Sequence, residues 1–285
     1  MNAKSIGVVG TGVMGSGIAQ VIAQSGIEVL WLSRDAGRAK AAVERIAQSL
    51  GRVVAKAKMT EAERDAAIGR LHTTTSFDDL ARVDLVIESV PEDLAAKIDV
   101  FRRVEAAVGA SVILASNSSS LSITKIGAST KRPERVVGMH FMNPAPLMKL
   151  VEVVRGLATS DDVIKDVSDV ARALGKTIVV AKDRPGFVVN RVLIPMINEA
   201  VFTFMEGVAG AEEIDTAMKL GCNQPMGPLE LADLIGLDVC LSIMERLHAA
   251  SGESKYRPCP LMRDYVDAGW LGRKVGRGFY VYEKK

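Results

Sequence analysis

The sequence predicts an α/β chain in two parts. An open, mostly parallel sheet with helices on both faces comes first, and an all-helical domain follows. Three observations carry this expectation. Short apolar runs alternate with segments of helical periodicity over the first 180 or so residues. A glycine pattern, G-x-G-x-x-G at residues 10–15, falls between the first such run and the first helix. Beyond "KDRPGF", residues 182–187, no alternating strands occur.

The elements follow in order. "SIGVVG", residues 5–10, is a short strand running into glycines, and residues 14–25 are a helix with Met14, Ile18, Val21 and Ile22 as its apolar stripe. Gly26 ends it, and residues 28–32 are the next strand. From Ala36 to about Lys58, Val43, Ile46, Leu50 and Val54 recur at helical spacing, with a break expected near Gly51. A charged helix at about 60–69 precedes "LHTTT"; a strand at 84–89 and a helix at about 93–107 come next. "SVILASNSSSL" is a strand with a polar tip at Asn117–Ser120. Apolar strands at 136–141 and 149–154 flank "NPAP", and a helix at 161–174 precedes "TIVVAK". The strands have the near-continuous apolar character of a sheet covered on both faces. The domain boundary is expected near residue 184, giving 1–183 and 184–285. In the second part Val188, Val189, Val192, Leu193, Ile197, Ala200, Val201 and Phe204 mark a long helix, and glycine and proline breaks at 207–210, 225–228 and 251–260 separate further ones.

Composition narrows the class. A chain of 285 residues is long enough for a well-buried core and two domains. Thirty-six basic against 34 acidic side chains argue against a nucleic-acid binder that relies on bulk positive charge. No run approaches the roughly 20 apolar residues of a membrane span, and no charged-then-apolar leader is seen, so a cytoplasmic protein is expected. Cys222, Cys240 and Cys259 are widely spaced and read as reduced thiols, and His72, His140 and His248 are too scattered to suggest a metal cluster.

Gly10, Gly12 and Gly15 have the positions that a dinucleotide needs. The first allows a tight turn, the second removes a side chain where the pyrophosphate approaches, and the third lets helix and strand pack closely. Val13 and Met14, within the same motif, join the cofactor-binding residues, and the helix amino end faces the phosphates. At the end of the second strand an acid would accept from a free ribose 2′-hydroxyl; this chain has Ser33 and then Arg34. A hydroxyl beside a planar cation favours a 2′-phosphate, hence NADP(H) over NAD(H). The competing reading makes Arg34 a solvated surface residue and gives the ribose to Asp35.

Chemistry is concentrated in "VVGMHFMNPAPLMKLVEVV". If the chain reverses about Pro146, antiparallel pairing puts His140 opposite Glu152, with Cβ atoms about 4.5–5.5 Å apart. A carboxylate on one ring nitrogen fixes the tautomer and leaves the other nitrogen to take a proton. A structural histidine, with the glutamate anchored by Lys149, is the alternative. Asn117, Ser118, Ser119 and Ser120 lie at a strand end, near the nicotinamide end of a stretched cofactor, or merely cap the helix that follows. Asn190, an amide one turn into an apolar helix, either points into an interdomain cleft or ties the hinge. A nucleotide beside a histidine base and hydroxyl and amide donors suits alcohol–ketone interconversion.

"GTGVMGSGIAQ", "ASNSSSLSIT", "GMHFMNPAPLMKLVEVVRG", "PGFVVNRVLIPMINEA", "QPMGPLELADLIGLD" and "SKYRPCPLMRDYVDAGWLGRKVGRGFY" together resemble the L-3-hydroxyacyl-CoA dehydrogenases, over nearly the whole chain. The bacterial 3-hydroxybutyryl-CoA dehydrogenases look nearest. The resemblance implies a Rossmann-type N-terminal domain, a helical C-terminal domain used for homodimerisation, an active site in the cleft between them, and an acyl-CoA substrate. It makes His140 the catalytic base, Glu152 its orienting carboxylate, Ser119 the hydrogen-bond partner of the substrate oxygen at C3, and Asn190 a substrate-holding residue. It places Asn143 in the same pocket, and Glu92, Lys97 and Asn117 near the nicotinamide ribose and ring. Arg52, Lys56 and Lys58 become candidates for the coenzyme A phosphates, against the alternative of a solvated helix face. Two departures stand out. "NSSSL" replaces the usual "NTSSL", which keeps a hydroxyl, and Ser33 replaces the usual acid closing strand two, which strengthens the NADP(H) reading and favours the reductive direction. Two rival functions fit the residues less well. A β-hydroxyacid dehydrogenase acting on free acids needs a lysine where this chain has Asn190 and Arg191, and a non-catalytic nucleotide-binding scaffold would not need the His140, Glu152, Ser119 and Asn190 set.

Overall fold

The computed structural model describes Met1 and residues 3–283. The chain divides into two units, Met1–Arg184 and Pro185–Lys285.

The first unit is built on one eight-stranded sheet, in the order β3-β2-β1-β4-β5-β6-β7-β8. The strands are β1 (Ser5–Val9), β2 (Glu28–Leu32), β3 (Leu71–Thr74), β4 (Leu85–Glu88), β5 (Ile113–Ser116), β6 (Val136–Phe141), β7 (Leu150–Arg155) and β8 (Thr177–Lys182). All neighbours run parallel except β6 and β7. The helices are α1 (Val13–Gln24), α2 (Ala36–Ala55), α3 (Glu61–Gly69), α4 (Leu94–Ala107), α5 (Ile123–Gly127) and α6 (Asp161–Ala173). Ile6, Val8, Val29, Trp31, Leu85, Ile87, Ile113, Val137 and Val153 are buried in one core with Ile18 and Ile22 of α1, Ile46 and Leu50 of α2, and Val163 and Val167 of α6. Each fully buried large aliphatic contributes about 1.5–3 kcal/mol, so the strands read as apolar runs because helices cover both faces.

Three segments add to or depart from the expectation. The helix after β2 runs unbroken from Ala36 to Ala55, through Gly51. Its buried stripe, Ala39, Ala42, Ile46 and Leu50, is regular up to that glycine, and packing outweighs the ~1 kcal/mol cost of one helical glycine. "LHTT" and "TIVVAK", which carry no clear pattern of their own, are edge strands β3 and β8, defined by pairing with β2 and β7.

The order β3-β2-β1-β4 reverses direction between β1 and β4, so crossovers leave on opposite sides there. A crevice opens at the carboxyl ends of the strands at such a switch point. Gly10, Ser33, Ser89, Asn117 and the tip of β6 all lie at or just beyond those carboxyl ends.

The second unit holds α7 (Val189–Met205), α8 (Ala211–Gly221), α9 (Pro228–Ile235), α10 (Leu237–Ser251) and α11 (Pro260–Asp267) around a core of Ile194, Ile197, Val201, Leu229, Leu237, Met244, Leu247 and Met262. Two buried carboxylates brace it. Asp215 accepts from the Leu229 and Glu230 amides at 2.8 Å each, capping α9 from a neighbouring helix, and from the Tyr280 hydroxyl at 2.7 Å. Asp233 accepts from the Phe279 and Tyr280 amides at 3.0 Å each. Burial pushes its carboxyl above the ordinary range, against the pull of those hydrogen bonds. Among the described residues, no helix is long and apolar enough to cross a membrane.

Candidate active site

The glycine turn is shaped by contact. Gly10 has φ of 111° and lies so close to Ser89 that a Cβ would strike the Ser89 carbonyl. A Cβ on Gly15 would strike the carbonyl oxygen of Gly10, which keeps α1 tight against β1. A Cβ on Gly12 would meet nothing within 4 Å. That open space lies at the N-cap of α1, which has no side-chain cap and no acidic residue in its first turn. An uncapped helix amino end facing open space fits a pyrophosphate. Val13, the first residue of α1, is largely exposed there and Met14 is half-buried. The Trp31 indole donates to the Gly10 carbonyl at 2.8 Å, and Arg45 reaches from α2 to the Thr11 carbonyl at 2.9 Å. Neither tie was read from the sequence; a buried tryptophan needing an acceptor was the available signal for the first.

At the end of β2, Ser33 is buried, with its hydroxyl 3.5 Å from that of Thr11. Arg34 is exposed. Asp35 is the N-cap of α2: its carboxylate accepts from the Arg38 amide at 2.8 Å and pairs with the Arg38 guanidinium at 3.2 Å.

The polar tip after β5 is organised by residues from β4 and α4. Glu88 closes β4 in full burial, and accepts from the Lys97 ammonium at 2.7 Å, the Ser116 hydroxyl at 2.7 Å and the Val90 amide at 2.6 Å. Lys97, one turn into α4 and also fully buried, donates to Glu88, to the Val90 carbonyl at 3.2 Å, and lies 3.4 Å from Glu92. An ammonium has three protons, and three acceptors within the protein surround it. Lys97 thus ties the end of β4 to the turn that follows it. Glu88 and Ser116 were not singled out from sequence, although an acid closing an otherwise apolar strand was a signal.

Glu92 accepts at one oxygen from the Ser118 hydroxyl (2.6 Å), the Ser119 amide (2.9 Å) and hydroxyl (3.3 Å), and the Ser120 amide (3.0 Å) and hydroxyl (3.1 Å). Burial works against its charge, but the Lys97 ammonium and these serine donors outweigh it and hold the carboxyl below its ordinary range. A lowered carboxyl contributes stability in full above the ordinary value and loses it as pH falls through the lowered one. The serine tip is thus not simply a helix cap. Ser122 has that duty for α5, accepting from the Lys125 amide at 3.2 Å. Asn117 joins three strand ends: its amide nitrogen donates to the Ser89 hydroxyl at 3.3 Å, its oxygen accepts from the Phe141 amide at 2.9 Å, and its own backbone amide donates to the Glu88 carbonyl at 2.8 Å.

β6 and β7 pair antiparallel with His140 directly opposite Glu152. Nδ1 of His140 lies 2.7 Å from Oε2 of Glu152, which is fully buried, while the imidazole keeps a small exposed edge. A buried carboxylate accepts, so Nδ1 carries a proton and Nε2 is the basic nitrogen. Asn143 follows in the exposed turn between the two strands. Asn190 sits half-buried in the first turn of α7. Arg52 and Lys56 are exposed at the carboxyl end of α2, with Lys58 just beyond.

A dinucleotide cradle at one end of a sheet edge and a carboxylate-oriented imidazole further along it define a nicotinamide-dependent dehydrogenase. Residues 5–184 match the family model of the 3-hydroxyacyl-CoA dehydrogenase NAD binding domain, and residues 186–282 that of the 3-hydroxyacyl-CoA dehydrogenase C-terminal domain. The chain belongs to the 3-hydroxyacyl-CoA dehydrogenase family. It is 54% identical over 285 residues to the probable 3-hydroxybutyryl-CoA dehydrogenase of Bacillus subtilis, covering 100% of this chain and 99% of that one. It is 50% identical to the 3-hydroxybutyryl-CoA dehydrogenase of Bradyrhizobium diazoefficiens, over 98% of this chain and 95% of that one. The crystal structure of (S)-3-hydroxybutyryl-CoA dehydrogenase from Ralstonia eutropha superposes with a TM-score of 0.97 at 49% identity, covering 99% of this chain and 100% of that one.

Proposed function

We propose that this enzyme interconverts L-3-hydroxybutyryl-CoA and acetoacetyl-CoA, with NADP(H) preferred to NAD(H). The observation that carries the reading is the 2.7 Å His140–Glu152 pair. Glu152 holds the proton on Nδ1, and Nε2 takes the proton of the C3 hydroxyl. The C3–H bond breaks as the C3–O double bond forms. When bound, the nicotinamide supplies the hydride acceptor, or the donor in the reverse direction. In that direction His140, protonated on both nitrogens, returns the proton to the C3 oxygen. Ser119 hydrogen-bonds this oxygen as negative charge grows on it, and Asn190 helps hold the substrate. Arg52, Lys56 and Lys58 are the proposed partners of the coenzyme A phosphates.

The nucleotide preference rests on five residues. Ser33 stands where an acid would repel a 2′-phosphate, and Thr11 adds a second hydroxyl 3.5 Å away. Asp35, the alternative ribose partner, is committed to the N-cap of α2. Arg34 and Arg38 are exposed beside this edge and suit an anion.

Steady-state reduction of acetoacetyl-CoA with NADPH and NADH side by side tests the reading. The higher kcat/KM is expected with NADPH, and a lower KM for the CoA thioester than for its pantetheine counterpart, which lacks the nucleotide phosphates. No turnover with either nucleotide would reject the assignment. Ser33→Asp is expected to move the cofactor ratio toward NADH by about tenfold or more, since one like-charge juxtaposition costs several kcal/mol and 1.4 kcal/mol is tenfold. An unchanged ratio would show that neither Ser33 nor Arg34 meets the 2′ position.

A further inference from the structure

Among the described residues of the first unit two lysines are buried, Lys97 and Lys176. Lys97 answers to the carboxylate of Glu88. Lys176 answers to backbone: its ammonium donates to the Ala145 carbonyl at 2.7 Å and to the Met148 carbonyl at 2.9 Å. Burial alone pulls it below the ordinary lysine range, so its charge is held there against the loss of water. The residue stands at the turn from α6 into β8. There Gly175 has φ of 72°, and the Lys176 amide donates back to the Ala171 carbonyl at 3.0 Å. That turn fixes the root of the side chain.

Both carbonyls belong to the connection between β6 and β7, and they flank Pro146, the centre of the reversal that sets His140 opposite Glu152. A two-residue hairpin takes its register from the turn itself. Residues 142–149 form a longer connection with one local turn, in which the Leu147 and Met148 amides both donate to the Pro144 carbonyl at 3.0 Å. The same connection bears on α1. Ala145 is buried in the core, and a Cβ on Gly17 would meet the Ala145 Cβ and the Pro146 Cδ at 3.2 Å each, closer than side chains normally pack. The helix at the glycine turn thus rests directly on the loop that reverses the strand of the imidazole.

We propose that Lys176 is a positioning residue for the base, holding the β6–β7 connection so that the imidazole of His140 keeps its alignment with α1. The inference rests on the reading of His140 as that base. Without the ammonium, two carbonyls lose their donor in a largely buried place, and they gain by turning toward water. The connection then shifts about Pro146, and the ends of both strands shift with it. A displacement of about 1 Å at a reacting group costs about 10²-fold in rate.

The test is one turnover of enzyme-bound reduced nucleotide, started with saturating acetoacetyl-CoA and followed by nicotinamide absorbance. The rate constant of that turnover reads alignment, and its amplitude reads the fraction of competent enzyme, so a merely structural loss lowers the amplitude alone. Lys176→Met, similar in length but without a donor, is expected to slow the rate constant by about 10- to 100-fold while the nucleotide dissociation constant stays within about threefold. Lys176→Ala leaves room for water to meet the two carbonyls, so it keeps the fold testable if the methionine variant does not fold. Water does not hold the carbonyls at a fixed separation, and a slowing of about tenfold is expected from it. His140→Ala combined with either variant should be no slower than His140→Ala alone, within about twofold. A parent-like rate constant in the folded Lys176 variants, with only the amplitude reduced, would overturn the proposal. So would multiplicative losses with His140→Ala, or a nucleotide dissociation constant that rises in step with the slowing, which would place the effect in the cradle. A parent-like rate in His140→Ala alone would overturn it differently, by removing the base that Lys176 is said to position.

Discussion

Replacing His140 with alanine is expected to lower kcat by about 10²–10⁴-fold, the usual contribution of a positioned general base, while nucleotide affinity changes little. The imidazole belongs to β6, and the glycine turn and Ser33 belong to the ends of β1 and β2, three and four positions away in the sheet. On the proposed reading, its removal takes away the proton acceptor for the C3 hydroxyl without opening the cradle. Stability should fall as well. Glu152 is fully buried, and losing the Nδ1–H donor costs a charged acceptor one hydrogen bond, about 1.5–3 kcal/mol. The thermal midpoint and the nucleotide dissociation constant should therefore be measured beside kcat. Turnover within a few-fold of the parent enzyme, from a folded variant, would remove His140 from the chemistry.

The parts that were legible in the sequence share a physical basis. The β6–β7 pairing could be read because strand period is 2 and the reversal about Pro146 fixes the register. A slip of one residue would leave His140 and Glu152 on opposite faces of the sheet. The glycine turn was legible because each glycine answers a separate steric demand, two met by backbone atoms and one by open space. The ends of β2 and α1 were legible from Gly26 and the apolar stripe. Other features depend on contacts far apart in sequence. Lys97 has a place in the sequence reading only through the family resemblance, near the nicotinamide; its burial against Glu88 comes from the meeting of β4 and α4 at one point. Sequence alone leaves the serine tip either near the nicotinamide or as a helix cap; that Glu92, 26–28 residues earlier, collects it is visible only in the structure. β3 and β8 have sparse burial because they are edges, so their identity comes from the neighbour they pair with. Local pattern thus identified the groups whose neighbours are set by one turn. It missed those whose neighbours are set by the whole sheet.

Glu152→Gln provides the sharper experiment on the mechanism, because it changes the chemistry of one atom while leaving shape nearly untouched. A carboxylate can only accept, so it forces the proton of a neutral imidazole onto Nδ1 and leaves the lone pair on Nε2. A carboxamide can do either. With its nitrogen turned toward Nδ1 it donates, the ring proton moves to Nε2, and the base presents a hydrogen where the substrate's hydroxyl proton must go. With its oxygen turned inward the tautomer is right, but the imidazolium formed on proton transfer has lost the negative charge 2.7 Å from its nitrogen. Both orientations raise the barrier, and a fall in kcat of about 10²–10⁴-fold is expected, by analogy with amide replacement of the carboxylate in other carboxylate–histidine pairs. Stability should suffer less than in His140→Ala, since a neutral amide escapes the desolvation that a fully buried carboxylate bears. Loss of activity without loss of fold would separate orientation of the base from mere packing. If the amide variant turned over within a few-fold of the parent, the tautomer argument would fail, and His140 would have to be held in its basic form by something other than Glu152.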